Sequence, residues 1–97
     1  TIPKQNTLPE SIKLYPAYPN PFNPRTTIQF SVSTRTDDVS LILYDINGRN
    51  TETLHIGSLE RGNYAFPWHA KNYSSGVYFA VLETKKNFQS TKLILIK

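Results

Sequence analysis

The 97-residue chain contains no cysteine and no methionine, four glycines and two histidines. Without cysteine there are no disulfides, no thiol catalysis and no thiolate metal sites. The compartment stays open, because exported domains often lack disulfides too. No apolar run approaches the ~20 residues that a bilayer-spanning helix needs, so the chain is not expected to span a membrane. Its first residues, TIPKQNTLPES, have neither the apolar region nor the cleavage site of a signal peptide, and no initiator methionine. They read as the start of a piece excised from a longer protein, with targeting signals elsewhere. Chemistry is equally sparse. His55 and His69 stand far apart, with no ligand-spaced cluster around either. DINGR, residues 45–49, lacks the spacing of oxygen ligands that a calcium loop requires. The one adjacent acidic pair, Asp37–Asp38, falls in an expected turn, with no cleft to perturb its carboxyls. No GxSxG and no glycine-rich phosphate loop occurs. We therefore expect no catalytic residue, no cofactor and no metal site.

What is present is apolar and aromatic. Hydrophobic residues make up 38% and aromatic residues 12% of the chain, including six Tyr, five Phe and the single Trp68. That is too apolar for a disordered tail. A chain of this size buries roughly 60–65% of the surface it exposes when unfolded, enough for one modest core. The formal charge is +4, but Lys4, Lys13, Arg25, Arg35, Arg49, Arg61 and Lys71 are spread along the chain, many near turns. Only Lys85–Lys86 are adjacent, so the pattern is a solvated surface and not a nucleic-acid patch.

Strand periodicity organises the rest. Residues 1–13 are polar and read as a linker or leading arm, and 14–97 as the domain. From Thr26 the chain alternates, with Ile28, Phe30 and Val32 on one face and Gln29, Ser31 and Ser33 on the other. STRTDD reads as a turn. VSLILYDI, residues 39–46, is apolar on both faces, as an interior strand should be. Asn47-Gly48 then predicts a hairpin, because both residues tolerate positive φ at the centre of a tight turn. GNYAFPWH sets Tyr64, Phe66 and Trp68 on one side, and Pro67 places the segment at a sheet edge or bulge. VYFAVLET and TKLILIK are two more strands, joined by the polar KKNFQS. Six strands, with a seventh candidate around Ile12–Tyr18, and no sustained 3.6-residue period predict an all-β immunoglobulin/fibronectin type III-like sandwich of about seven antiparallel strands.

One stretch departs from this plain pattern. YPAYPNPFNP, residues 15–24, holds four prolines directly before the first strong strand. Fixed φ at Pro19, Pro21 and Pro24 gives a rigid backbone with few donors. The segment is expected to lie along the sandwich as an ordered edge, anchored by Phe22.

YPNPFNPRTTIQFSV, LYDINGR, GNYAFPWHA, SSGVYFAVLET and TKLILIK together resemble the C-terminal sorting domains of the type IX (Por) secretion system, in particular their type A branch. The resemblance covers about residues 14–97. It implies a targeting tag and not a catalyst: a domain that follows a secreted cargo in the same chain. In that family the cargo crosses the inner membrane by its own signal peptide. The outer-membrane translocon recognises the folded tag, and a sortase-like protease commonly removes it, leaving a secreted or cell-surface product of a Gram-negative bacterium. Matched position by position, Pro19, Asn20 and Pro21 form the PNP motif. Gly76 and Tyr78 form the GxY motif, preceded by Ser75. Lys92, Leu93, Ile94, Leu95, Ile96 and Lys97 form the terminal basic–apolar–basic strand, which could offer its backbone for strand addition.

Other roles for the same residues are structural: Gly76 as a turn, Tyr78 as core, the terminal lysines as edge charges. A second class of function is a fibronectin-like accessory module, either a spacer or a polysaccharide binder using exposed Trp68 and Tyr73, with Tyr15 and Tyr18 as further candidates. A third is an adhesive or assembly domain that pairs edge strands between copies.

Overall fold

A computed structural model describes residues 11–97; the arm assigned to residues 1–10 lies outside the described residues. Seven strands are present: β1 (Ile12–Leu14), β2 (Arg25–Val32), β3 (Thr36–Asp45), β4 (Asn50–Leu59), β5 (Gly62–His69), β6 (Gly76–Glu83) and β7 (Phe88–Leu95). They form a three-stranded sheet, β1-β2-β5, and a four-stranded sheet, β4-β3-β6-β7. All pairings between these strands are antiparallel. This is the expected immunoglobulin/fibronectin type III-like sandwich.

Period-two patterning explains which residues fill it. In β2, Thr26, Ile28, Phe30 and Val32 alternate inward as expected. In β3, Val39, Leu41 and Leu43 face the core, while β4 and β6 flank the strand on either side. Ala80, Leu82 and Leu93 have no exposed surface at all, because β6 and β7 present their alternate residues across the same interior. Phe30 stacks between Tyr64 and Phe66, with ring centroids 5.5 and 5.8 Å away. Pro67 lies in β5, which pairs only with β2, so the missing N–H falls on an edge strand, as expected.

Three boundaries differ from the sequence reading. Ile12 is buried in β1, so Ile12 and Lys13, grouped with the arm, are part of the sandwich. The STRTDD turn is shorter: β3 begins at Thr36, and the polar residues ride on a bulge, where the register shifts between Thr36 and Val39 and Asp38 takes φ 57°. Asp37 and Asp38 thus lie on a strand, exposed, with Asp38 paired to Lys85 at 3.2 Å. Likewise β7 starts at Phe88, so only the first part of KKNFQS turns. Local polarity hid both strands, since a bulged or edge strand with one solvated face needs few apolar residues.

The Asn47-Gly48 hairpin forms, but with a longer loop. Gly48 N–H donates to Asp45 O at 3.0 Å and Asp45 N–H to Arg49 O at 2.9 Å. Gly48, at φ 81°, carries the positive angle within the loop. The result is a three-residue loop closed by a glycine bulge. The Asp45 carboxylate organises it, accepting from the N–H groups of Asn47 and Arg49 at 2.9 Å each and from Arg49 Nε at 3.1 Å. The Arg49 N–H bond is the main cause of an Asp45 pKa below the usual carboxylate value.

Two measurements follow. Leu93→Ala should lower stability by about 2–5 kcal/mol, while Ile96→Ala, at a position 53% exposed, should change it by less than about 1 kcal/mol. Urea midpoints at fixed m separate the two. The depressed Asp45 pKa stabilises the fold above the unfolded carboxyl value of 3.8. That contribution fades as pH falls from about 5 through the lower native value. Asp45→Asn should therefore be less stable than wild type at pH 7, with the two converging in acid.

Candidate functional site

The proline-rich segment, residues 18–24, is a strap that bridges the two sheets. At its start Tyr18 exchanges backbone bonds with Thr27, at 3.1 and 3.0 Å. Thr26 Oγ1 donates to Pro19 O at 2.7 Å. At its end Ala70 N–H donates to Pro24 O at 2.8 Å. The Tyr18–Pro19, Asn20–Pro21 and Asn23–Pro24 peptide bonds are cis.

Between these ties the strap runs along the outer edge of β7. Asn20 Nδ2 donates to Lys92 O at 2.8 Å, and Ile94 N–H donates to Asn20 Oδ1 at 2.9 Å. One residue pair further on, Phe22 N–H donates to Ile94 O and Ile96 N–H to Phe22 O, both at 2.9 Å. The Asn20 carboxamide, with one acceptor and a donor side by side, stands in for a peptide group. Phe22 then continues as a parallel bridge to Leu95. Its ring, 3% exposed, packs 5.6 Å from Trp68 and is the anchor the sequence suggests.

Trp68 is 5% exposed, and Tyr73 and Tyr78 each approach it with ring centroids at 5.6 Å. Its indole N–H donates to Glu52 Oε2 at 2.8 Å, and the Tyr73 hydroxyl donates to the same oxygen at 3.0 Å. Burial first, then this carboxylate, raises the Tyr73 pKa above its ordinary value. Trp68, expected as an exposed ring in the glycan-platform reading, is instead enclosed by aromatic neighbours. The adjoining cleft, lined by Ile28, Leu41, Leu43, Glu52, Leu54, Phe66, Pro67 and Trp68, holds about 80 Å³, far below the ~300–1,000 Å³ of small-molecule sites. Of the other aromatics, Tyr18 is exposed, while the Tyr15 hydroxyl lies 3.1 Å from Ser31 Oγ. Among the described residues no three His, Cys, Asp or Glu side chains converge as metal ligands, and no helix is long and apolar enough to cross a membrane.

The GxY residues sit at the corner between β5 and β6. The Tyr78 hydroxyl donates to Ser74 O, four residues upstream, at 2.7 Å. That is the tyrosine corner of immunoglobulin-like sandwiches. Gly76 has φ 155°, and a Cβ there would meet nothing within 4 Å, so backbone angle and not space calls for glycine. The chain end ties to the same corner. Lys97 N–H donates to Ser75 Oγ at 2.9 Å, and Lys97 Nζ to the carbonyls of Lys71 and Tyr73 at 2.6 and 2.8 Å.

The structure thus brings Pro19, Asn20, Pro21, Gly76, Tyr78 and Lys92–Lys97 to one end and edge of the sandwich. It also divides them. Tyr78, Leu93 and Leu95 are core; Pro19, Asn20, Pro21, Lys92, Ile96 and Lys97 are exposed; Ile94 is half-buried. Two contributors escape sequence reasoning: Glu52, which receives both aromatic donors, and Gln89. Gln89 repeats the Asn20 arrangement at the opposite sheet, accepting from Leu14 N–H and donating to Ile12 O, both at 2.8 Å. With 75 residues between Leu14 and Gln89, no local pattern could signal the pair.

Asn20→Ala should cost about 1 kcal/mol, since water can replace the lost partners at this exposed seam. Amide exchange gives the sharper reading. The Ile94 N–H should exchange faster, while that of Leu93, which by alternation faces β6, should stay protected.

The family described as secretion system C-terminal sorting domain matches residues 16–97. No curated protein matches the chain. The matched region takes in the whole strap–corner–terminal-strand assembly, and the chain belongs to the secretion system C-terminal sorting domains, the sorting signals of type IX secretion.

Proposed function

We propose that the end of the sandwich where strap, tyrosine corner and terminal strand meet is the recognition end of a type A sorting domain. The observation that carries this reading is the convergence itself: Asn20 and Lys92, 72 residues apart, are joined directly by a hydrogen bond. The domain does no chemistry of its own. It follows a cargo domain in the same chain, which enters the periplasm through its own signal peptide. The translocon in the outer membrane engages the folded tag, a sortase-like protease then removes it, and the cargo is released or held at the cell surface. Within the polar stretch before Leu14, the natural place for the cut is ahead of Ser11, because a cut there leaves β1 and its pairing with β2 whole.

The test is a reporter with a Sec signal fused ahead of residues 1–97, expressed in a host with the type IX machinery. The reporter should appear outside the cell or on its surface; retention in the periplasm would sink the reading. Deleting Lys92–Lys97 is a poor control, since it also removes Leu93 and Leu95, 0% and 1% exposed, from the core. Substitutions at exposed positions separate export from folding.

A further inference from the structure

A terminal strand is commonly engaged by strand addition, through its free N–H and C=O groups. Here that route is closed from Lys92 O to Ile96 N–H. Lys92 O, Ile94 N–H, Ile94 O and Ile96 N–H are all taken by Asn20 and Phe22. Opening the strap would also pull the Phe22 ring, 3% exposed, out of the aromatic cluster. What β7 leaves available is its outward side-chain row.

That row has a definite character. Lys92 lies opposite Phe79 and Ile94 opposite Val77, while Phe79 lies opposite Tyr44 on β3. Among the described residues Tyr44, Val77, Phe79 and Ile94 are half-buried with no layer above them, Ile96 is 53% exposed, and Pro21, also exposed, stands between Asn20 and Phe22, the two strap residues bonded to β7. Lys92 stands within this apolar surface, and among the described residues its ammonium has no ion-pair partner, in contrast to Lys85 with Asp38. Charge is one-sided around it. From Thr84 to Lys97 the chain carries Lys85, Lys86, Lys92 and Lys97 and no Asp or Glu, and residues 15–24 carry no charge. Among the described residues the acids lie on β3, on β4, in the β4–β5 connection at Glu60 and at the end of β6 at Glu83.

Resting on the sorting reading above, we propose that the intact outer face of β7 with its strap, formed by Pro21, Lys92, Ile94 and Ile96 beside Val77 and Phe79, docks an apolar protein surface of the export machinery that bears a carboxylate opposite Lys92. Side chains are read and the backbone edge is not. An unpaired cation in an apolar surround selects an acidic partner and rejects a basic one through like-charge repulsion. One central lysine among apolar groups fits a protein contact better than a lipid surface, which would need several lysines in one plane.

Export of the reporter fusion tests this with exposed-site variants whose folding is checked by thermal melting. Lys92→Glu and Ile96→Asp should each lower the exported fraction at least about tenfold, the size of a single well-placed interface contact, with melting unchanged. Lys92→Gln should fall between Lys92→Glu and wild type. Ala65→Asp, on the exposed side of the other sheet, should export normally. Wild-type levels for both Lys92→Glu and Ile96→Asp would overturn the proposed face while leaving the sorting reading intact; failure of the wild-type fusion would strike the sorting reading itself. A gain in export by Asn20→Ala would show strand addition at the freed edge and overturn side-chain docking. Co-sedimentation of the purified domain with phosphatidylglycerol vesicles, lost in Lys92→Glu, would assign the face to lipid and overturn the protein partner.

Discussion

The seam between the strap and β7 is the contact on which this end of the molecule depends. Two bonds from the Asn20 carboxamide and two from the Phe22 backbone fix the last strand from outside, while β6 holds it from inside. Because the strap leads straight into β2 of the other sheet, the same seam clamps the two sheets together. Phe22 makes the clamp hydrophobic as well as polar. Its ring closes the cluster of Trp68, Tyr73 and Tyr78, and an aromatic burial of this kind is worth about 1.5–3 kcal/mol. The individual hydrogen bonds, near solvent, contribute about 1 kcal/mol each or less. Ring burial therefore sets the strap's position, and the polar bonds set its register.

The same logic extends to other sheet edges. An exposed strand edge invites pairing with another chain. β7 is covered by Asn20 and Phe22, and β1 by the Gln89 side chain. β5 carries Pro67, and β3–β4 is broken by bulges at three points in its register. Two carboxamides serve as surrogate peptide groups on adjoining edges, which closes the β1–β7 side of the sandwich. These devices weigh against an assembly domain built by pairing at β1 or β7, since those edges are already engaged.

Local rules made the sheet content legible. Alternation marks β2, the two-faced apolar run marks β3, Asn-Gly marks the hairpin, and Pro67 marks an edge. Where these rules fell short, the deciding partner was distant in sequence. Phe88–Ser90 reads as loop until β6 supplies a ladder on one side. Trp68 reads as core, with a surface platform as the lesser alternative, and Phe22, Glu52 and Tyr73 enclose it. Family resemblance locates the motif residues but is silent on their division of labour, because burial depends on which face of β7 meets the core. Leu93 and Leu95 turn inward, Lys92, Ile94 and Ile96 outward. That parity comes from pairing with β6 and not from composition.

That division explains how a short terminal strand can serve two ends at once. Its inward residues can reach the core only if β6 and the tyrosine corner are formed, and its outward residues stand in a fixed row only if the strap is seated. Pro19–Pro21, Gly76–Tyr78 and Lys92–Lys97 are separate stretches in an unfolded chain and meet at one end of the folded domain, with Tyr78, Leu93 and Leu95 in its core and the rest facing outward. A partner that engages this surface by its side chains, with the backbone edge already closed, distinguishes a finished domain from an unfinished one without a separate sensor. Unfolded tails carry the same residues but not the same row.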